Sequence, residues 1–357
     1  NLTRDGRFAF DPADASYQHL AAGQTQTLVI PVTVTDGAGA TATQNLSITV
    51  TGANDGAVIA GVSRGVTFED SANLVNGKLT VQDVDTGEAA FQPYSGIGVY
   101  GIFGLKDDGT WSYQINNSKP EVQALAAGQM ATETFTVHSI DGTSQQVTVT
   151  IEGKNDTAVI GGVSSGQVKE DTTLRTNGRL TISDADSGQA AFRPGNVAGT
   201  YGTLHLTADG QWTYDLNNNA RGVQSLAKDG LMTDTLTVTS LDGTTHQIRI
   251  AVSGTNDVPV ISGTSTGSLV EDNSRHTVSQ VLRSTDVDTG DTAAWTLVGS
   301  GLGTYGQLNF DPGTQRWTYT LDNIDVDTNA LSAGQHVSEI FQVRVTDSNA
   351  ATATKDI

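Results

Sequence analysis

The tetrapeptide Gly52-Ala53-Asn54-Asp55 returns as Gly153-Lys154-Asn155-Asp156 and again as Gly254-Thr255-Asn256-Asp257. The Asn residues of successive copies lie 101 positions apart. An apolar triplet follows each copy: Ala57-Val58-Ile59, Ala158-Val159-Ile160 and Pro259-Val260-Ile261. Fifteen positions beyond each Asn stands an acid pair, Glu69-Asp70, Glu170-Asp171 or Glu271-Asp272. A fixed period with charged residues at fixed offsets marks a tandem array of like domains. A period near one hundred residues is long enough for each unit to bury its own core.

Working outward from the linkers, residues 54–154, 155–255 and 256–357 are the complete or nearly complete units, and 1–53 is the C-terminal half of a further one. In that half, Asp5-Gly6-Arg7-Phe8 matches Asp108-Gly109-Thr110-Trp111, and Leu20-Ala21-Ala22-Gly23-Gln24 matches Leu125-Ala126-Ala127-Gly128-Gln129. Residue 1 falls inside a repeat, so the chain reads as a fragment. By analogy with Ile48 and Val50, it stops partway along its last strand. Within 54–154, Val66-Thr67-Phe68 and Lys78-Leu79-Thr80-Val81 alternate as short strands. Asp108-Gly109 and Asp141-Gly142 sit between alternating runs as hairpin turns. Pro120–Ala126 predicts a short helical turn with Val122 and Leu125 on one face. Short turn-separated strands without long helices predict an all-β chain of antiparallel sandwiches.

Composition narrows the function. Lys and Arg number 19 against 39 Asp and Glu, a net charge of −20. Such a surface repels nucleic acid and anionic membranes and attracts cations. With no Cys, neither disulfides nor thiolate metal sites can form. No stretch is apolar for the length a bilayer requires, and none has the layout of a signal peptide.

In combination, Asp-Gly-x-Trp-x-Tyr (108–113), Leu-Ala-x-Gly-Gln (125–129), Phe-x-Val-x-x-x-Asp-Gly (135–142) and Gly-x-Asn-Asp resemble the VCBS repeat, a cadherin-like module of very large secreted bacterial adhesins and related RTX proteins. The resemblance covers nearly the whole chain. It implies cadherin-like or Ig-like sandwiches in an extended rod, export by a type I system, an extracellular or cell-surface location, and a spacer role in attachment or biofilm formation. The partners it implies are the neighbouring repeats and a host-cell or matrix ligand held elsewhere in the full protein. The Gly/Asp nonapeptides of calcium-binding β-rolls are not present.

The acids at fixed offsets point to the joints. If strands alternate up and down, the turn Asp83-Val84-Asp85-Thr86-Gly87 and the turn at Asp141 both return to the linker Asn54-Asp55, while Glu69-Asp70 faces the next linker, Asn155-Asp156. That linker then meets Asp184, Asp186 and Asp242. Glu170-Asp171 likewise meets Asn256-Asp257 with Asp286, Asp288 and Asp347, and Glu271-Asp272 occupies the corresponding far end of the last unit. Calcium takes six to eight oxygen ligands from carboxylates, Asn side chains and carbonyls, which this set supplies. Zinc fits poorly, since no His recurs. Two carboxylates about 5 Å apart repel by roughly 3 kcal/mol at an effective dielectric near 20, so a joint holding several needs a cation. Ca2+ is the expected cofactor, and it would stiffen a chain that is slack during export.

Other readings of the same residues are plainer. Asn-Asp can form an Asx turn, Asp108-Gly109 and Asp209-Gly210 are hairpin turns, and Trp111, Trp212, Trp317 and Trp295 occupy repeated positions that suit core packing. A glycosidase needs one carboxylate pair in one cleft, whereas these acids come in repeated sets, so an enzyme is not expected. The remaining alternatives to a spacer are a glycan- or protein-binding face, and a matrix fibre in which another chain completes residues 1–53.

Overall fold

The computed structural model describes residues 2–357. They divide into two compact units. One comprises Asn1–Ala158 with Asp184–Ala190, the other Val159–Ser183 with Ala191–Ile357.

The first unit begins with the hairpin β1 (Thr25–Thr35) and β2 (Thr41–Thr51). The first full repeat follows as β3 (Val58–Gly61), β4 (Arg64–Phe68), β5 (Val75–Gln82), β6 (Tyr94–Ile97), β7 (Gly101–Leu105), β8 (Thr110–Ile115), the single turn α1 (Pro120–Gln123), β9 (Met130–His138) and β10 (Ser144–Glu152). One sheet has the order β3-β5-β8-β7-β6 and the other β4-β10-β9. Alternation puts every second side chain of β7, β8, β9 and β10 between the sheets, where Phe103, Trp111, Tyr113, Val137, Val147, Val149 and Ile151 are fully enclosed. Truncating such a Trp costs about 3–5 kcal/mol. Trp111 also donates its indole N–H to Val62 O at 2.7 Å, so no polar atom is stranded. Gly77 lies under the ring, where a Cβ would come within 2.3 Å of it. Val122 is buried and Leu125 packs against the same core, in line with the expected helical turn.

The second unit repeats the pattern with β11 (Val159–Gly162), β12 (Ser165–Lys169), β13 (Arg175–Ser183), β14 (Gly195–Ala198), β15 (Gly202–Leu206), β16 (Gln211–Leu216), α2 (Arg221–Gln224), β17 (Leu231–Thr239) and β18 (Thr245–Ser253). The sheets are β11-β13-β16-β15-β14 and β12-β18-β17. The third repeat has β19 (Val260–Gly263), β20 (Thr277–Thr285), β21 (Ala294–Val298), β22 (Gly306–Asp311), β23 (Arg316–Leu321), α3 (Val326–Asn329), β24 (Gln342–Thr346) and β25 (Thr352–Asp356). Its sheets are β19-β20-β23-β22 and β21-β24-β25. All four Trp are core residues, between 0% and 5% exposed, as their repeated positions predict.

Simple up-and-down alternation is the one expectation the topology corrects. The first strand of each of the first two full repeats is split between the sheets. β3 pairs antiparallel with β5, the chain crosses at Val62-Ser63, and β4 then pairs parallel with the last strand, β10. β12 pairs parallel with β18 in the same way. Both partners of a parallel pair end on the same side, so Phe68 sits opposite Glu152 and Lys169 opposite Ser253. The acid pair therefore emerges beside the start of the next linker.

A buried acid ties together the two sheets of each of the first two repeats, and the half-buried Glu339, just ahead of β24, makes the corresponding bonds in the third. Glu133 of β9 accepts from the Tyr113 hydroxyl at 2.7 Å and from the Tyr100 N–H at 2.9 Å. Asp234 accepts from the Tyr214 hydroxyl at 2.8 Å and the Tyr201 N–H at 3.0 Å, and Glu339 accepts from Tyr319 and the Tyr305 N–H.

Candidate metal centre

In the first unit the last ladder rung of β4 and β10 is the Glu69 N–H donating to Glu152 O at 2.8 Å. Asp70 follows in the left-handed region at φ 58°, a conformation Asp tolerates because its short polar side chain bonds locally. Its N–H donates to Asn117 Oδ1 at 3.2 Å. The turn directs the fully buried Glu69 carboxylate at the linker, where Oε2 accepts the Lys154 N–H at 3.1 Å. Gly153 fits against the upstream turn only because it lacks a side chain: a Cβ would lie 2.1 Å from Leu125 O.

The loop after β13 closes the site from the other side. The Ser187 N–H donates to Ala124 O at 3.1 Å, which docks Asp184–Ala190 on the end of α1. The Asp186 N–H donates to Asp184 Oδ1, and Asp186 Oδ2 accepts the Asp156 N–H, each at 3.0 Å. Asp186 is 1% exposed, and its Oδ1 accepts no hydrogen bond. Burial pushes the Glu69 carboxyl up, and the Asp156 and Asp70 charges add to it. Asp156 is raised by burial and then by Asp70, Asp186 and Asp184.

The second unit builds the same cluster. Glu170, fully buried, accepts the Thr255 N–H on Oε1 at 2.8 Å and nothing on Oε2. Asp171 has φ 58° and donates its N–H to Asn218 Oδ1 at 2.9 Å. Asp257 donates its N–H to Asp288 Oδ2 at 2.9 Å, and Asp288 donates its own to Asp286 Oδ1 at 3.0 Å. Asp288 is 4% exposed, with Oδ1 unpaired. Carboxylate oxygens of Asp286, Asp288 and Asp291 lie within 4.8 Å of one another. Burial pushes Glu170 up to about 7, with Asp257 and Asp171 adding repulsion. Asp257 rises to about 6 through burial and the Asp171 and Asp288 charges.

At the first linker the Asp55 N–H donates to Asp85 Oδ2 and the Asp85 N–H to Asp83 Oδ1, both at 2.9 Å. Thr86 docks its N–H on His19 O at 3.0 Å. Asp83 Oδ2 and Asp85 Oδ1 are buried and unpaired.

The linker Asn side chains do bond locally beside the cluster, but through the amide nitrogen and not through the oxygen that would make the Asx turn read from Asn-Asp. Asn54, Asn155 and Asn256 each turn the amide nitrogen onto the next residue's carbonyl, at 3.0, 2.7 and 2.9 Å. In Asn256 this leaves Oδ1 buried and without a partner. Asp141 and Asp347 do come to the linker end, but as turn anchors. Asp141 accepts from Ser139, from Thr143 and from the Ala57 N–H at 3.0 Å. Burial opposes ionisation there, yet these bonds hold its carboxyl below the usual range. Asp242 accepts from Ser240 and Thr244, and Asp347 from the Ala351 N–H and the Asn256 amide, each at 2.8 Å. Glu271 lines a cavity of about 600 Å³ in the third repeat with Trp317 and Phe341. Asp272 keeps the left-handed turn at φ 54°.

Sequence reasoning missed the residue that closes each Asp-x-Asp-x-Gly loop, namely Glu88, Gln189 and Asp291. An oxygen-bearing side chain at the same offset in all three repeats was the available signal. It also missed Gln123, whose Nε2 lies 3.3 Å from Glu69 Oε1, and Gln224, 3.1 Å from Asp171 Oδ1.

The donors are all oxygen. None of the ion pairs found among the described residues includes Glu69, Asp156, Asp186, Glu170, Asp257 or Asp288. Buried carboxylates without a counter-charge are strongly destabilising, and this donor set fits a hard divalent cation.

No curated protein matches the chain by sequence. Among solved structures it is similar to the EC1-4 fragment of PcdhgB3, at 14% identity over 94% of this chain and 82% of that one, with a TM-score of 0.44. It is also similar to the protocadherin gammaB7 EC3-6 structure, at 18% identity over 85% and 72% with a TM-score of 0.43, and to Drosophila N-cadherin EC1-4, at 10% identity over 95% and 84% with a TM-score of 0.30. The family model described as the bacterial cadherin-like domain matches residues 54–153, 155–254 and 256–357. Matched along most of its length, with each match beginning at a linker Asn, the chain belongs to the bacterial cadherin-like domain family.

Proposed function

We propose that this chain is a calcium-braced extender segment of a large secreted bacterial adhesin, of the VCBS type. Repeats 54–154, 155–255 and 256–357 act as its folding units, and residues 1–53 as the second half of another. Glu69, Asp70, Asp156, Asp184 and Asp186 would hold calcium at the Asn155 linker. Glu170, Asp171, Asp257, Asp286, Asp288 and Asp291 would hold it at Asn256. The Asn54 linker offers Asp55, Asp83, Asp85 and Glu88. Bound calcium supplies positive charge to carboxylates drawn from two successive repeats, and so resists bending at the linker. The chain's own residues set the frame: the left-handed turns at Asp70 and Asp171 aim the acid pairs, and the docked loops present Asp186 and Asp288.

The buried, unpaired oxygens of Asp186, Glu170 and Asp288 carry this reading. A carboxylate serving only a turn would place both oxygens on N–H donors or in water. Extracellular calcium modules bind at about 10⁻⁴ to 10⁻³ M, which suits a chain exported by type I secretion that stiffens outside the cell to hold an adhesive tip away from it, in attachment or biofilm growth. Calorimetric calcium titration of the full chain is the test. Asp184→Ala with Asp186→Ala should remove one junction's share of the binding heat, and unchanged stoichiometry would strike both residues from the ligand set.

A further inference from the structure

Among the carboxylates proposed as ligands, the two junctions that receive an acid pair differ at one place. At the sixth place of Asp-x-Asp-x-Gly-x, the loop at Asn155 carries Gln189 and the loop at Asn256 carries Asp291. The side chains are not interchangeable in these settings. Gln189 turns a donor towards the cluster, its Nε2 lying 3.3 Å from Asp186 Oδ2. Asp291 brings an acceptor, with Oδ2 buried and unpaired, and it completes the carboxylate triad with Asp286 and Asp288. The upstream contributions are alike: Glu-Asp pairs with a fully buried Glu, each bonded to a linker N–H and followed by a left-handed Asp.

We infer that the residue closing this loop sets the order in which the junctions load, so that the Asn256 site fills at lower calcium than the Asn155 site. The inference rests on the calcium reading above. Its physical basis is that oxygen sites tune calcium affinity by the number of ligand charges, and the Asn256 cluster has one carboxylate more. The added charge also raises repulsion in the cation-free site, where Asp291 stands beside Asp286 and Asp288. A further consequence is division of labour: at calcium between the two midpoints, one linker is braced and the other still bends.

Calorimetric titration of the calcium-stripped full chain with CaCl2 tests this, using Gln189→Asp, Gln189→Glu and Asp291→Gln. Wild type should show two classes of junction site about ten-fold apart, with the Asn54 site constant throughout. Asp291→Gln should bring the tight class down to the weak one, and a carboxylate at 189 should bring the weak class up to the tight one. Thermal melting in chelator verifies folding: Asp291→Gln, relieved of one repelled charge, should melt at or above the wild-type temperature. An isotherm unchanged by both substitutions, or shifted the same way by both, overturns the loading order while leaving calcium binding intact. Absence of calcium heat in wild type would instead overturn the underlying reading.

Discussion

Asp186 shows how one side chain serves both the fold and the site. Oδ2 orders the linker by accepting the Asp156 N–H, and Oδ1 has no protein partner. An amide keeps an acceptor oxygen and loses the charge. Asp186→Asn should therefore weaken calcium binding about ten-fold or more while leaving the melting temperature in chelator equal or higher, because an uncompensated buried charge is gone. Calorimetry paired with melting in chelator checks both halves. The pH response has a definite sign. Glu170 and Asp257 are raised to about 7 and about 6 from ordinary values of 4.5 and 3.8, so the cation-free folded chain binds protons that the unfolded chain releases. That stabilisation is complete below the ordinary carboxylate range and is lost as pH rises through 6 to 7. The calcium-stripped protein should melt several degrees lower at pH 8 than at pH 5, and the calcium-induced gain should grow over the same interval. A melting curve insensitive to pH without calcium would show that these acids do not face one another.

At the scale of the element, the parallel pairing of β4 with β10 decides where Glu69 lands. The hairpins β7–β8 and β9–β10 were legible because Asp-Gly between alternating runs has few other outcomes. The crossover at Val62-Ser63 was not, because the strand keeps its alternation across it and the one local mark is a glycine just before the crossing, Gly61 at φ 101°. The acids could be assigned to the correct linker from spacing, but for a reason that the parallel pair replaces. Asp141 was legible as a turn residue at the linker end, whereas the Ser139 and Thr143 hydroxyls that donate to its oxygens were not. Two substitutions probe the elements. Gly153→Ala would force a methyl group against Leu125 O and should cost about 1–3 kcal/mol in urea unfolding. Tyr113→Phe leaves Glu133 without its hydroxyl donor in a buried setting and should cost about 1–3 kcal/mol by the same measurement. A loss under 0.5 kcal/mol would show that water takes over at Glu133.

For the whole molecule, a net charge of −20 with repeated acid clusters means that, on the proposed reading, order at the linkers would depend on cations. Lys154 provides a reporter, since it lies in a linker, is exposed, and donates its N–H to Glu69. Trypsin should cut after Lys154 in chelator, and millimolar calcium should slow that cut about ten-fold or more, because proteolysis requires the segment to open. Fragment sizes by mass spectrometry distinguish this cut from attack elsewhere, and an equal rate in both conditions would refute bracing at Asn155.

Each of the first two full repeats sends its acid pair to the linker behind its last strand and its Asp-x-Asp loop to the linker in front of its first. No site is the property of one domain. If the repeat spanning 155–255 loses its fold, the Asn155 linker loses Asp184 and Asp186, and the Asn256 linker loses Glu170 and Asp171. On the proposed calcium reading, a single local failure would silence two neighbouring joints, and calcium occupancy at either one would report that both flanking domains are intact.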